Sequence, residues 1–345
     1  MKSYIQTVTN EMTYIFVLSL AAFLLAMFLT PIYTFFAYRY QFWKRQRTSA
    51  VTGEKLQVFD KLHEEKLRRH IPTMAGIIGV VSIVLITLLF NLDRQQTWLP
   101  LAAFVGGAAV GLIDDYLNIF GSNKKDAGMR APVKFALITL IGSVLGWFFF
   151  AKLGVSSFHV PFYGDLSVGW LIIPLFAFAV VATGNAVNIS DGLDGLAGGL
   201  LAISFVMFGV IALLQGNFLL AGFCFTVVGA LLSYLWFNIY PARFFMGDVG
   251  AFAYGASLGV VAMLTNSLLL LPIIGLLFVV EAGSSALQIA SKRLFGRKIF
   301  KSAPIHHHLE ASGWPETKIT MRFWVIGCVM AFIGFLVALA GGHIA

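Results

Sequence analysis

The sequence predicts an all-α integral membrane protein: a polytopic bundle of about ten transmembrane helices with both termini extracytoplasmic. Three observations carry this reading. The first is composition, because 59% of the 345 residues are apolar, 33 of them Phe, and the mean hydropathy is +0.84. That is more apolar side chain than a soluble domain of this length can bury. The second is grouping. Apolar runs fall near residues 13–37, 73–91, 98–117, 133–153, 169–187, 193–215, 216–238, 248–265, 268–290 and 319–341. Each approaches or exceeds the roughly 20 residues that span a hydrocarbon core of about 30 Å. The third is charge. With the runs crossing alternately, the loops 38–72, 118–132, 239–247 and 291–318, with Lys134 and Arg322 at helix mouths, hold 21 of the 24 Lys and Arg. Lys2, Arg94 and Lys152 fall on the other side, so the crowded side is cytoplasmic. The whole of 1–345 reads as a single polytopic domain.

Each element has its own justification. The run 13–37 has no small-residue cleavage site after a compact apolar stretch, so it reads as a retained span and not a signal peptide. Loop 38–72 is the one stretch expected to fold outside the membrane, as a short amphipathic helix around VFDKLHEEKLRRH. It ends in LRRHIPTMAG (67–76), where Arg68, Arg69 and His70 are either positive-inside markers or contacts for an anionic ligand. The third run closes on Asp114 and Asp115. NISDGLDGLAGG (188–199), with a loop near 188–192, joins the fifth run to the sixth and carries Asp191 and Asp194. FMGDVG opens the eighth run on Asp248, and Glu281 lies inside the ninth, where Ser284 or a substrate is its expected partner. Runs of Leu, Phe, Ala and Gly with no polar residue at every second position favour helices over a barrel, since a helix satisfies its own backbone. Cys224 and Cys328 sit inside runs and read as packing residues, with neither metal spacing nor a disulfide framework.

Under this topology five carboxylates from three separate segments gather at the cytoplasmic membrane edge. Asp114, Asp115, Asp191, Asp194 and Asp248 are costly at that depth unless paired, hydrated or bound to a cation, so their convergence marks a site; the bland alternative is five independent helix-end residues. Oxygen-only ligands suit a hard cation such as Mg²⁺, which takes one or two carboxylates and completes its octahedron with water and phosphate oxygens. Gly192, Gly195, Gly247 and Gly250 let backbone approach a bulky anion. APIHHHLE places His306, His307 and His308 on the same side. Adjacent histidines cannot all turn to one tetrahedral ion, so phosphate or substrate binding is preferred to zinc, with a solvated loop as the alternative. The net charge of +8 calls for no nucleic acid; it reads as topology with attraction to anionic headgroups or, alternatively, as contacts for phosphate-bearing ligands.

DDYLN (114–118), NAVNISDGLDGLAGG (185–199), FNIYPARFFMGDVG (237–250), IHHHLE (305–310) and ITMRFW (319–324) resemble the bacterial phospho-N-acetylmuramoyl-pentapeptide transferase family. The resemblance runs from about residue 70 to the end. It implies transfer of phospho-N-acetylmuramoyl-pentapeptide from uridine diphosphate (UDP) to undecaprenyl phosphate, giving lipid I and uridine monophosphate at the inner (cytoplasmic) membrane of a bacterium, with Mg²⁺ as cofactor and a homodimer as assembly. Carried over by motif, Asp248 is the Mg²⁺ ligand, Asp114 and Asp115 are the acidic pair at the reacting phosphates, and His307 is catalytic. Arg68, Thr73, Asn188, Asp191, Asp194, Asn238, Phe245, Gly247, His306 and His308 are substrate-binding, Arg68 taking the place of a lysine that approaches the uracil. Asp114 is left as base, positioning group or nucleophile. The sequence departs from the family pattern at RRHIPTMAG and at Asn118, where the family has lysine; Lys124, Lys125 or Arg130 are candidates to supply that charge. Two rival readings are N-acetylglucosamine-1-phosphate transfer to a polyprenyl phosphate and, from another class, a secondary transporter.

Overall fold

The computed structural model describes residues 2–43, 70–121 and 128–344. The amphipathic helix expected around VFDKLHEEKLRRH, together with Arg68, Arg69, Lys124 and Lys125, lies outside the described residues. Helices α1 (Lys2–Arg39), α2 (Gly76–Phe90), α3 (Trp98–Phe120) and α4 (Ala131–Ala151) are followed by a hairpin of β1 (Ser157–Val160) and β2 (Gly164–Ser167). Then come α5 (Ile172–Ser190), α6 (Leu196–Leu214), α7 (Phe218–Asn238), α8 (Gly247–Leu264), α9 (Leu271–Ile274), α10 (Leu276–Phe295), α11 (Ile305–Glu310) and α12 (Glu316–Ala340).

All ten apolar runs are helical, and among the described residues eight helices are long and apolar enough to cross a membrane. The chain is a multi-pass membrane protein. The other two runs differ from the expected simple span. α2 has 15 residues, and the run 268–290 breaks at Gly275 into α9 and α10. Pro272 in the first turn of α9 has no N–H to continue a preceding helix, and Gly275 follows one turn later. Two loops are also narrower than expected: α5 runs on to Ser190, and residues 291–318 contain the end of α10 and the short α11.

The hairpin corrects the purely helical expectation. Ser157 pairs with Ser167 and Val160 with Gly164, around Phe162 and Gly164 at positive φ. Four-residue strands are too short for a period-two signal to stand out beside long apolar runs. The hairpin meets the segment after α12, where the His159 ring bonds Gly341 O at 2.8 Å, and His343 bonds Asn266 O, between α8 and α9, at 2.8 Å. At the same end Tyr14 Oη donates to Phe90 O at the close of α2. The carboxylates lie at the opposite end.

Helix α8 is the axis of the bundle, buried along almost all its length and crossed by α3 and α5. Glycine makes both crossings possible. A Cβ on Gly107 or Gly111 of α3 would come within 2.4 or 2.1 Å of the carbonyl oxygens of Phe252 and Asp248. One on Gly255 or Gly259 would meet Thr183 O at 2.7 Å or Ala179 O at 2.8 Å on α5. Without a hydrophobic drive between helices in lipid, such close backbone approach gives the dispersion contacts that hold them together. It also fixes the height of Asp248 against Asp114 and Asp115. Cys224 is buried as expected, whereas Cys328 is exposed on the outer face of α12.

Candidate active site

Asp114 and Asp115 are neighbours near the C-terminal end of α3, and Asp248 lies in the first turn of α8. Between Asp114 and Asp248 stands Lys134, one turn into α4. Its Nζ donates to Asp114 Oδ2 at 2.8 Å and to Asp248 Oδ2 at 2.6 Å, and lies 5.2 Å from the Phe252 ring centroid. The other oxygen of Asp114 accepts the Met129 N–H at 2.6 Å. The backbone can wrap there because Gly128 has φ +95° and a Cβ would press on Asp114 Oδ1. Asp115 faces the other way. It is fully buried, and its Oδ2 accepts the Val249 N–H at 3.0 Å, holding the start of α8, where the helix dipole favours a carboxylate.

The chain around Gly247 is clamped by the segment before α2. Phe245 N–H donates to Pro72 O at 2.8 Å, Ala75 N–H to Phe245 O at 3.0 Å and Gly76 N–H to Met246 O at 2.8 Å. Gly247 takes φ +75°, and a Cβ there would sit 2.6 Å from Asp115 Oδ2. Tyr33 Oη of α1 donates to Thr73 O, and Thr73 Oγ1, buried, has no hydrogen-bond partner among the described residues. Phe245 is half-buried beside it.

A third group ties the α5–α6 turn to the α7–α8 loop. Asp194 Oδ2 accepts the Ala242 N–H at 3.0 Å, while its own N–H donates to Glu316 Oε1 at 2.6 Å. Asn238 Oδ1 accepts from Gly195 N–H at 2.9 Å, and its Nδ2 donates to Phe244 O at 2.9 Å. Trp324 Nε1 donates to Gly195 O at 3.1 Å. Asn188 and Asp191 are half-buried at the end of α5, beside this turn.

The histidines enter from α11. The His306 ring bonds the fully buried Glu281 of α10 through Nδ1 and Oε2 at 2.8 Å, and a Cβ on Gly192 would lie 2.3 Å from His306 Nε2. Glu281 therefore aims His306 at the Asp191–Asp194 turn. Ser284 meets only the Glu281 carbonyl, so the side-chain partner left open between Ser284 and a substrate is His306. His307 Nδ1 bonds Glu310 Oε2 at 2.6 Å, while His308 Nδ1 accepts the Lys301 N–H at 3.1 Å. Burial pushes His307 below the usual imidazole pKa, opposed by the Glu310 hydrogen bond.

The structure thus brings the expected residues of three segments to one end of the bundle. It divides them by environment: Asp115, Asp194 and Asn238 hold neighbouring backbone, and Asp114, Asp248 and Lys134 form one cluster. Sequence reasoning counted Lys134 only as a topology marker and did not find Glu316. The available signal was that Lys134 opens a span at the same edge as the acids. Asn118 is buried one turn past Asp114, and Arg130, one of the three candidates to replace its charge and the one among the described residues, is exposed; Lys134 is the cation at Asp114.

Two carboxylates share one ammonium here, leaving an excess of negative charge. The point between Asp114 and Asp248 already accommodates a cation. Among the described residues no three His, Cys, Asp or Glu converge to hold a metal ion by themselves. That donor set fits Mg²⁺ better than zinc, because Mg²⁺ takes few protein carboxylates and draws its other ligands from water and phosphate.

The family profile for glycosyl transferase family 4 matches residues 97–266, which include Asp114, Lys134, Asp194 and Asp248. The phospho-N-acetylmuramoyl-pentapeptide-transferase of Chloroflexus aurantiacus is 39% identical over 96% of this chain and 92% of its own length. Its namesake from Chloroflexus aggregans is 38% identical over the same shares. That of Clostridium novyi is 41% identical over 77% of this chain and 82% of its own.

Proposed function

The chain belongs to the phospho-N-acetylmuramoyl-pentapeptide transferase family, and we propose from this premise how its residues perform the transfer. The chain is a transferase that makes lipid I. Phospho-N-acetylmuramoyl-pentapeptide passes from its UDP carrier to undecaprenyl phosphate. An oxygen of the acceptor phosphate attacks the phosphorus that carries the sugar, the bond to the bridging oxygen breaks, and uridine monophosphate leaves.

Phosphoryl transfer asks mainly for positioning and for neutralisation of the non-bridging oxygens. The acceptor, with a second pKa of about 6, is already largely dianionic near pH 7 and needs no strong base. Asp114, whose two oxygens are engaged by Met129 N–H and Lys134, accordingly serves to position. Lys134 presents the ammonium to the diphosphate. Asp248 is the Mg²⁺ ligand, and the ion when bound supplies charge neutralisation at the phosphate oxygens. Asp115 sets the height of Asp248 by holding the start of α8. Thr73, Phe245 and Gly247 form one wall of the nucleotide pocket, and Asn188, Asp191, Asp194 and Asn238 the other, with Arg68 at the uracil. His306, aimed by Glu281, and His308 bind the diphosphate or sugar; His307, kept neutral by burial, carries the catalytic contact.

The same reading sets the acidic end at the cytoplasmic edge of a bacterial inner membrane, with both termini outside and two copies forming a dimer. It is supported by 21 of 24 basic residues falling on one side of the alternating runs and by the resemblance.

The observation that carries the reading is the cluster Asp114–Lys134–Asp248, a cation seat at the membrane edge inside a matched transferase profile. Its test is uridine monophosphate release with Mg²⁺, with EDTA, and by the Asp248→Asn chain. Loss of at least 100-fold in both latter cases is expected. Full activity with EDTA would remove Mg²⁺ from the account.

A further inference from the structure

We propose that the groove between α1 and the loop after α7 binds one anionic phospholipid, an acyl chain along α1 and the phosphodiester between Arg39 and Arg243. The groove has a volume of about 730 Å³. Pro31, Phe35 and Phe237 form its walls, and Arg39 and Arg243 line one end. Its threonines present methyl groups, because Thr30 Oγ1 donates to Ala26 O at 2.8 Å and Thr34 Oγ1 to Thr30 O at 2.7 Å. Pro31, inside α1, offers no N–H to the carbonyl one turn earlier.

Charge complementarity selects the occupant. Neither guanidinium forms an ion pair with a carboxylate among the described residues, and Arg39 lies 5.9 Å from the Phe35 and Tyr40 ring centroids. Tyr38, Tyr40, Trp236 and Tyr240 are exposed around the same level. Amphipathic rings gather where headgroups meet hydrocarbon, which sets the two arginines at phosphate depth. A free phosphate would use the arginines and leave the apolar groove unfilled; a zwitterionic lipid would fill the groove and bring its own cation. An anionic lipid satisfies both ends. The groove is separate from the transfer site: α1 carries it on one face and on another turns Tyr33 to Thr73 O.

The test is native mass spectrometry of the full chain in detergent, titrated with phosphatidylglycerol and with phosphatidylcholine of identical chains. The wild-type chain is expected to retain phosphatidylglycerol preferentially. At about fivefold per arginine, the Arg39→Ala/Arg243→Ala chain is expected to lose on the order of twentyfold in that preference. Thr34→Trp fills the groove, leaves both arginines, and is expected to lose the bound lipid as well; Lys152→Ala, at the other end, retains it. Unchanged retention in either groove variant would overturn the proposal. Displacement of the lipid by glycerol 1-phosphate would reassign the arginines to a simple anion site. Loss of a dimer in place of lipid would assign the groove to a second copy.

Discussion

At the scale of the residue, Lys134 decides how the acids coexist. With Nζ at 2.8 and 2.6 Å from two carboxylates, its removal leaves like charges facing each other with little water between them. Lys134→Met is expected to lose at least 100-fold in uridine monophosphate release and to become less stable in detergent. Mg²⁺ should then raise its Tm more than it raises that of the wild type, because a divalent ion replaces the missing charge; at 100 times Kd the gain is about 2.7 kcal/mol. Equal Mg²⁺ shifts in both would contradict the shared-cation assignment. His307 supplies a pH dependence. Its folded pKa lies below that of the unfolded side chain, about 6.5, so as pH falls from 7 the unfolded state takes up the proton first. Stability from this group is therefore full above about 6.5 and declines as pH drops through the folded value. His307→Gln should flatten part of the fall in Tm between pH 7 and 5, and a profile identical to wild type would show that the histidine does not contribute.

At the scale of the element, the site depends on three helices meeting without side chains between them. The α3–α8 crossing at Gly111 sets Asp248 opposite Asp114, with no room for a methyl group 2.1 Å from Asp248 O. Gly111→Ala is expected to cost about 1–3 kcal/mol through overpacking and to lower activity by shifting the first turn of α8. A thermal melt and a rate measured on the same preparation check both, and wild-type values in each would mean that the crossing can relax. The helices themselves were legible as apolar runs because lipid imposes a long, simple pattern. The hairpin and the Gly275 break were not, since four-residue strands and a one-turn helix leave no periodic trace. Glu316 escaped for a different reason. Its bond to Asp194 N–H joins residues 122 apart, and nothing local to either announces the other.

At the scale of the whole molecule, alternation of runs placed the acids, the histidines and the basic loops at one edge before any contact was known. The motifs carried the rest of the site, residue by residue, but not the division of labour within it. Asp115 read from sequence as one of the acidic pair at the reacting phosphates, and Asp194 and Asn238 as substrate ligands; in the structure each also holds neighbouring backbone, at the start of α8, in the loop after α7 and at the start of α6. Lys134 read as one positive charge among 24. Membrane proteins invite this confusion, because a lysine at a helix mouth satisfies the topology rule whether or not it does chemistry. What sets this transferase apart from one acting on N-acetylglucosamine is which sugar phosphate crosses to the lipid. The direct measurement is uridine monophosphate release by the purified chain with undecaprenyl phosphate and Mg²⁺, comparing the UDP carriers of N-acetylmuramoyl-pentapeptide and N-acetylglucosamine. Release from the muramoyl carrier alone is the expected result; release from the N-acetylglucosamine carrier alone would contradict the account.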